Sequence, residues 1–519
     1  MIALTPVQFL ERAAISFGDR VAVSDRGVSI TYREMWGRCT RFAGALSQRE
    51  VVPGDRIAVL APNSIPLLEM HYGVPLAGAA LVPINARLSA REIAAIIEHC
   101  TPRLLLYDDR LGNLASEALA LLTTPPAAIR VGGPDDEYAS LLACAQASVN
   151  LPSDESGLIS INYTSGTTGR PKGVMYSHRG AFLQSLAMAF HARLDLGTVF
   201  LWTLPMFHCN GWCFTWAVTA AGGRHVCLER PEPGNTWLHI EREGVTHFNC
   251  APTVLTDLLY SQAARPKSTG RNISVAVGGA PPSPTLLAKA KDAGFDVTHL
   301  YGLTETYGPA VVCEWRPDWD GLPDAEQAVI RARQGIANAV TTSIRIVNRE
   351  GVDVPSDGRT VGEIAIRGNN VMQGYYRDPA ATSTVMRNGW FHTGDLGVRH
   401  PDGYVELTDR AKDVIVSGGE NIASVEVERV IVAHPRVVEA AVVGAPHPRW
   451  GEAVVAFVTL RQGAELEGDE LILFVREHLA HYKVPKRVVF GPLPKNSTGK
   501  VQKHVLRERA RETWTDSVR

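Results

Sequence analysis

The sequence predicts an α/β protein that ends in a smaller α+β unit. Three observations predict this. Strand-like and helical stretches alternate through the first half. Short β-branched runs separated by turn residues follow from residue 340, and the texture changes again after Asp409. Such alternation favours a largely parallel sheet, because parallel neighbours need a crossover and a helix usually supplies it.

The elements follow in order. Pro53-Gly54-Asp55 turns into the apolar run Arg56–Leu60, a helical stretch covers Pro66–Ala77, and Ala79–Ile84 is again strand-like. Ser89-x-x-Glu92 is a capping box opening a helix whose apolar residues fall at 93, 96, 97 and 100. Thr101-Pro102 stops that helix before the strand Arg103–Tyr107. Beyond residue 340, Thr341–Val347, Gly362–Arg367 and Tyr404–Leu407 read as a small antiparallel module punctuated by Arg-Glu-Gly, Ser-Asp-Gly and Pro-Asp-Gly turns. The last unit holds a helix near Ser424–Ala433, strands near Val438–Val443 and Ala453–Leu460, and a helix near Glu470–Ala480.

A chain of 519 residues is too long for one small core, so several packed modules are expected. Lysine and arginine number 52 against 54 acidic residues, a net charge of −2. Bulk charge therefore offers no footprint for nucleic acid or an acidic membrane surface, and a polyanion has to be met by local groups. The eight cysteines include no Cys-x-x-Cys pair. That argues against a zinc ribbon or disulfide framework and fits a reducing compartment. Cys209 and Cys213 are spaced to share a helix face, where two small apolar residues are a plainer reading than a metal site. The N-terminus lacks a signal pattern and no stretch reaches the roughly 18–20 apolar residues of a membrane span. A cytoplasmic protein is expected.

The strongest local signal is Tyr163-Thr-Ser-Gly-Thr-Thr-Gly-Arg-Pro-Lys-Gly173, between the strand-like Leu158–Asn162 and a helical run after Ser177. Its glycines let backbone N–H groups approach phosphate oxygens, the hydroxyls of Thr164, Ser165, Thr167 and Thr168 donate, and Lys172 adds charge. The Walker A spacing cannot be laid on it. Further along stand Pro205-Met-Phe-His208, Gly278-Gly-Ala-Pro281, Tyr301-Gly-Leu-Thr-Glu305, Gly362-Glu-Ile, Thr393-Gly-Asp395, Asp409–Asp413, Ser417–Asn421 and Pro494–Lys500. Each alone has a plain reading: Asp395 as a turn aspartate, Tyr301 as core, Lys500 as a solvated loop lysine, Arg410 and Lys412 as a charged linker.

Taken in order, these motifs resemble the adenylate-forming superfamily of acyl-CoA synthetases, luciferases and peptide-synthetase adenylation domains, over nearly the whole chain. The resemblance implies a large N-terminal domain (1–408) of two α/β subdomains plus a small β-barrel-like module. A hinge linker (409–413) and a small, mobile α+β C-terminal domain (414–519) would follow. It implies ATP, Mg²⁺ and coenzyme A as cofactors or co-substrates. Thr164, Ser165, Gly166, Thr167, Thr168, Gly169 and Lys172 would hold the β- and γ-phosphates, and Gly279, Ala280, Pro281 and Gly302 would line the nucleotide site. Thr304 would contact the α-phosphate, Glu305 would hold Mg²⁺, Tyr301 would stack on adenine, and Asp395 and Arg410 would reach the ribose. Lys500 would bridge the substrate carboxylate and the α-phosphate.

For the second half-reaction, Lys412 matches the hinge, Gly418 and Gly419 the pantetheine passage, Arg87 a contact to coenzyme A phosphates, and His208 the gate between acyl pocket and thiol tunnel. The acyl pocket would be lined by His208, Asn249, Thr253, Gly278 and Gly302. His208 stands where amino-acid-activating relatives carry an aspartate, so an α-ammonium would lack its counter-ion. Phe207–Trp216 with Arg333-Gln-Gly335 most resembles medium-chain, branched or aryl acid–CoA ligases. The expected activity is therefore an AMP-forming acid–CoA ligase with a small-molecule acid as partner, with a homodimer left open. An acyltransferase working from acyl-AMP and a ligase loading a carrier protein stay as alternatives.

Overall fold

The computed structural model describes residues 2–165, 171–261, 272–410, 413–417, 420–447, 449–495 and 500–515. Two large sheets make up most of the N-terminal part. The first has seven strands in the spatial order Gly374–Tyr375, Pro171–Ser177, Leu158–Ser165, Ala80–Ile84, Arg56–Leu60, Leu104–Asp108 and Ala127–Val131. Its five inner and far-edge strands, from Leu158–Ser165 onward, run parallel. Pro171–Ser177 and Gly374–Tyr375 close the other edge antiparallel.

The second sheet has nine strands. Its parallel heart, Val21–Asp25, Arg224–Cys227, Val199–Trp202, His247–Cys250, Ile273–Gly278 and Phe295–Leu303, is capped at one end by Val28–Thr31. Gly308–Val312 and Ile336–Ala337 cap the other. The chain thus lays its first two strands in the second sheet, goes on to build most of the first, and crosses back after residue 191.

Local sequence explains the elements that frame the site. Ala80–Ile84 is buried along its whole length, as a parallel strand covered on both faces requires. The capping box at Ser89 is present: the Ser89 hydroxyl takes the Glu92 N–H and the Glu92 carboxylate takes the Ser89 N–H at 2.8 Å. Thr101 ends the helix in the left-handed conformation at φ 43°. The main core lies between the two sheets, where Phe42, Tyr72, Phe200, Trp202 and Trp216 are fully buried.

Past residue 340 an antiparallel sheet joins Ser343–Val347, Gly362–Arg367, Met386–Arg387, Trp390–Arg399 and Val405–Arg410. The C-terminal α+β unit packs the helices Ser424–Val432, Gly468–His478 and Lys503–Thr515 with the long pair Val437–His447 and Gly451–Leu460. It is tied back through Asp409, whose carboxylate accepts from the Ser424 N–H at 2.5 Å and the Ser424 hydroxyl at 3.1 Å. Lys503 donates to the same hydroxyl at 2.6 Å and pairs with Glu428 at 2.7 Å.

Four buried histidines tie stability to pH. Burial holds His71, His178 and His299 down to about 4 and His225 to about 3, against 6.5 for a free imidazole. Between those values the unfolded chain binds protons that the folded chain refuses, so stability falls as pH drops through 6.5 toward 4. Burial raises the carboxyls of Glu69 and Glu428, which opposes this slope. Thermal melts should give a midpoint several degrees lower at pH 5 than at pH 7; equal midpoints would contradict the burial of these rings as neutral species.

Candidate active site

Strands of both sheets end on one small cleft, lined among others by Asn85, Asn162, Tyr163, His208, Cys209 and Thr304. Carboxyl ends of parallel strands are where ligands bind in open α/β sheets, because chain crossings leave a crevice there.

Thr304 and Glu305 stand on a short 3₁₀ turn directly after Phe295–Leu303. The buried Thr306 hydroxyl fixes that turn, accepting from the Leu303 N–H at 2.9 Å and donating to the Gly308 carbonyl at 2.7 Å. The Thr304 carbonyl accepts from Tyr176 at 2.6 Å, and its hydroxyl accepts the Cys209 thiol at 3.6 Å. Gly302 sits where any Cβ would collide with the Gly308 carbonyl, so the tight return depends on glycine.

The Glu305 carboxylate accepts from the Tyr375 hydroxyl at 2.8 Å, and the Lys172 ammonium lies 4.8 Å from the centre of the Tyr375 ring. Burial, then the charge of Glu305, pushes the Tyr375 phenol well above its ordinary range, so it remains a donor. Gly374–Tyr375 pairs with Val174 and Met175 on the strand carrying Lys172. Lys172 in turn stands opposite Thr164. One tyrosine thus connects a cation and a carboxylate from different elements. Sequence reasoning missed it, since Gly-Tyr-Tyr carries no chemical pattern.

Asp395 is buried with both carboxylate oxygens engaged: Tyr301 donates to one at 2.7 Å and Arg410 lies 3.1 Å from the other. Asp395 and Arg410 face each other across two antiparallel strands. Asp395 is therefore a strand residue, not one in an isolated turn.

The segment after Val199–Trp202 departs from its expected form. Cys209, Asn210, Gly211, Trp212 and Cys213 all have φ between 45° and 64°, a full turn of left-handed helix with a single glycine. The spacing of Cys209 and Cys213 suggested an ordinary helix face, but left-handed backbone costs L-residues about 1–2 kcal/mol each, and surrounding contacts must hold it. Asn162 does so, accepting from the Asn210 N–H at 2.9 Å and donating to the Asn210 side-chain oxygen at 2.6 Å. Ser160 adds a bond to the same oxygen at 3.0 Å. Burial raises the Cys209 thiol to about 12, which removes it as a nucleophile near neutral pH.

His208 caps this turn, and its imidazole is held down to about 4, first by burial and then by the nearby charge of Lys500. Lys500, from the C-terminal unit, thus stands near enough to His208 for its charge to act there. Arg87 stands on the loop after Ala80–Ile84, where partial desolvation and then the charge of Arg230 depress its pKa. Gly279 and Ala280 are exposed and Pro281 is half-buried after Ile273–Gly278. Gly279 has φ 88° with open space where a Cβ would stand. Gly278 lies under the indole of Trp212, and Asn249 is buried at the end of His247–Cys250. Thr253 opens the following helix. Gly166, Thr167, Thr168, Gly169, Lys412, Gly418 and Gly419 lie outside the described residues, as does the side chain of Ser165.

A family model described as AMP-binding enzyme matches residues 10–376, and one described as AMP-binding enzyme C-terminal domain matches 426–500. An acetate–CoA ligase of Humulus lupulus is 42% identical, with 98% of this chain and 95% of the relative covered. A peroxisomal acetate/butyrate–CoA ligase of Arabidopsis thaliana gives the same three figures, 42%, 98% and 95%. The ATP-bound crystal structure of MatB from Rhodopseudomonas palustris superposes with TM-score 0.86 at 30% identity, covering 98% of this chain and 99% of that one. Several further relatives are also named peroxisomal, which overturns the expected cytoplasmic location. Cysteine usage separates reducing from oxidising compartments, but import into a peroxisome is read from a receptor address and leaves no mark on composition.

Tyr375→Phe removes the donor that orients Glu305 while keeping the ring beside Lys172. A hydrogen bond to a charged group contributes about 1.5–3 kcal/mol. Titration calorimetry should show ATP binding weakened on the order of tenfold with Mg²⁺ present and little changed without it. An equal loss in both conditions would show that the hydroxyl does not act through Glu305.

Proposed function

The chain belongs to the AMP-binding enzyme family, and we propose that it is an ATP-dependent ligase joining a small, uncharged carboxylic acid to coenzyme A through an acyl-adenylate. The observation that carries the reading is Lys500. A lysine from the C-terminal unit bears on His208, in a cleft also lined by Thr304.

The chemistry explains the charge pattern. The acid's carboxylate oxygen attacks the α-phosphorus of ATP, and the bond to the β-phosphate breaks, its electron pair leaving with pyrophosphate. Both reactants are anions, so fixed cations and donors have to offset their repulsion. Lys500 bridges the carboxylate and the α-phosphate, and the Thr304 hydroxyl donates to the latter. Lys172 and the loop from Thr164 onward hold the terminal phosphates. The buried Asp395 accepts from the ribose hydroxyls beside Tyr301, with Arg410 paired to one of its oxygens. Glu305 suits Mg²⁺, which takes few protein oxygens and completes its shell with phosphate and water. When bound, Mg²⁺ neutralises charge on the phosphates.

In the second step the thiol of coenzyme A, delivered past Gly418 and Gly419, attacks the acyl carbon and AMP leaves. The protein's part is to position the thiol and exclude water. Arg87 and the nearby Arg230 offer positive charge to the coenzyme's phosphates. Residues 1–408 and 414–519 act as two domains, with Lys412 in the 409–413 linker as hinge. His208 carries no negative charge to pair with an α-ammonium, which supports acids without a charged tail over amino acids.

A unit charge about 4 Å from its partner contributes roughly 4 kcal/mol at an effective dielectric near 20. Losing part of that should slow acid-dependent pyrophosphate exchange on the order of 10²- to 10³-fold in Lys500→Ala. The variant should still convert supplied acyl-AMP and coenzyme A to thioester, with unchanged thermal melting. Exchange at wild-type rate would remove Lys500 from the adenylation step.

A further inference from the structure

Two polar side chains near the end of the second sheet find no partner among the described residues: the Asn249 amide nitrogen and the Thr253 hydroxyl. Asn249 is only 2% exposed, so an unmet donor there is costly. Its backbone carbonyl is already used by Thr203 at 2.6 Å, which fixes the residue without serving its side chain.

Strand alternation shows where the amide points. Asn249 registers with Ala276, and Ala276 with Thr298. Phe248, Cys250, Val275 and Val277 pack into a separate core on the opposite face. The amide therefore shares a face with Ala276 and Gly278, the face covered by Trp212. Thr253 lies one strand-to-helix turn further on, in the first turn of Pro252–Tyr260, where ligands meet a parallel sheet.

We infer that the acid taken by this site carries a hydroxyl on its tail, accepted from Asn249 and donated to Thr253. The inference rests on the ligase reading and names the substrate class within it. An amide N–H needs an acceptor, and a threonine hydroxyl can accept in return, so one alcohol oxygen satisfies both. A plain alkyl tail leaves both groups unmet. A site built around a hydroxyl discriminates against the analogue lacking it far more strongly than an apolar pocket discriminates by one methylene. Trp212 across Gly278 limits the room, which favours a short hydroxy acid.

The test is a matched panel of butyrate, 3-hydroxybutyrate and 4-hydroxybutyrate, with kcat/KM from acid-dependent pyrophosphate exchange. The wild-type enzyme should favour one hydroxy acid over butyrate on the order of 10- to 100-fold. Asn249→Leu and, separately, Thr253→Val should shrink that ratio toward one or reverse it. The ratio is read within one enzyme, so partial misfolding of a variant does not disturb it. Butyrate turned over as well as both hydroxy acids, or a preference untouched by both substitutions, would overturn the hydroxyl assignment alone. No exchange with any acid would remove the ligase reading and this inference with it.

Discussion

Two buried asparagines join the large sheets, and the site depends on the backbone that they hold. Asn63, just after Arg56–Leu60 of the first sheet, shares its two amide hydrogens among the carbonyls of Trp202 at 2.9 Å, Leu204 at 3.1 Å and Leu228 at 3.2 Å. Its oxygen accepts from the Met206 N–H at 2.8 Å. Asn162 does the same for the left-handed turn that follows. Between them, residues 202–213 of the second sheet are gripped by the first. That grip places His208 in the cleft, lays Trp212 across Gly278, and sets Cys209 against Thr304. Backbone of this kind persists only where the surroundings over-determine it, and a polar network with most members satisfied supplies that rigidity in a low-dielectric interior.

The electrostatics follow the same economy. A chain of net charge −2 that handles several phosphates has to concentrate its cations. Lys172, Arg410 and Lys500 come from three separate elements, and two of them stand near an aromatic ring or carboxylate that fixes their place. Tyr301 and Tyr375 play matching parts, each donating a phenol hydrogen to a carboxylate. Each phenol is pushed above its ordinary range and so remains a hydrogen-bond donor to its carboxylate.

Much of this could be read from residues alone. The capping box at Ser89, the buried strands Arg56–Leu60 and Ala80–Ile84, and the order of motifs ending at Lys500 are local patterns with local causes. The left-handed turn was not legible, because Cys209 and Cys213 have the spacing of a right-handed helix and Asn162 is 48 positions away from Asn210. Tyr375 was invisible for a related reason: only its pairing beside Val174 carries its hydroxyl to Glu305. The plain reading of Asp395 as a turn aspartate gave way to a strand position: Gly394 takes φ 71° within Trp390–Arg399, and the register shifts between Leu396 and Gly397. The cellular location failed on different grounds, since bulk composition does not encode an import address.

The claim that the Asn162–Asn210 contact holds the site is tested most directly by a double-mutant cycle on acid-dependent pyrophosphate exchange, using Asn162→Ala, Asn210→Gly and the pair. Glycine at 210 keeps the left-handed backbone accessible while deleting the side chain. If the two side chains act as one clamp, the double variant should be little worse than either single one, a coupling of at least about 1 kcal/mol. Losses that add to within about 0.5 kcal/mol would mean that the turn is held by something else.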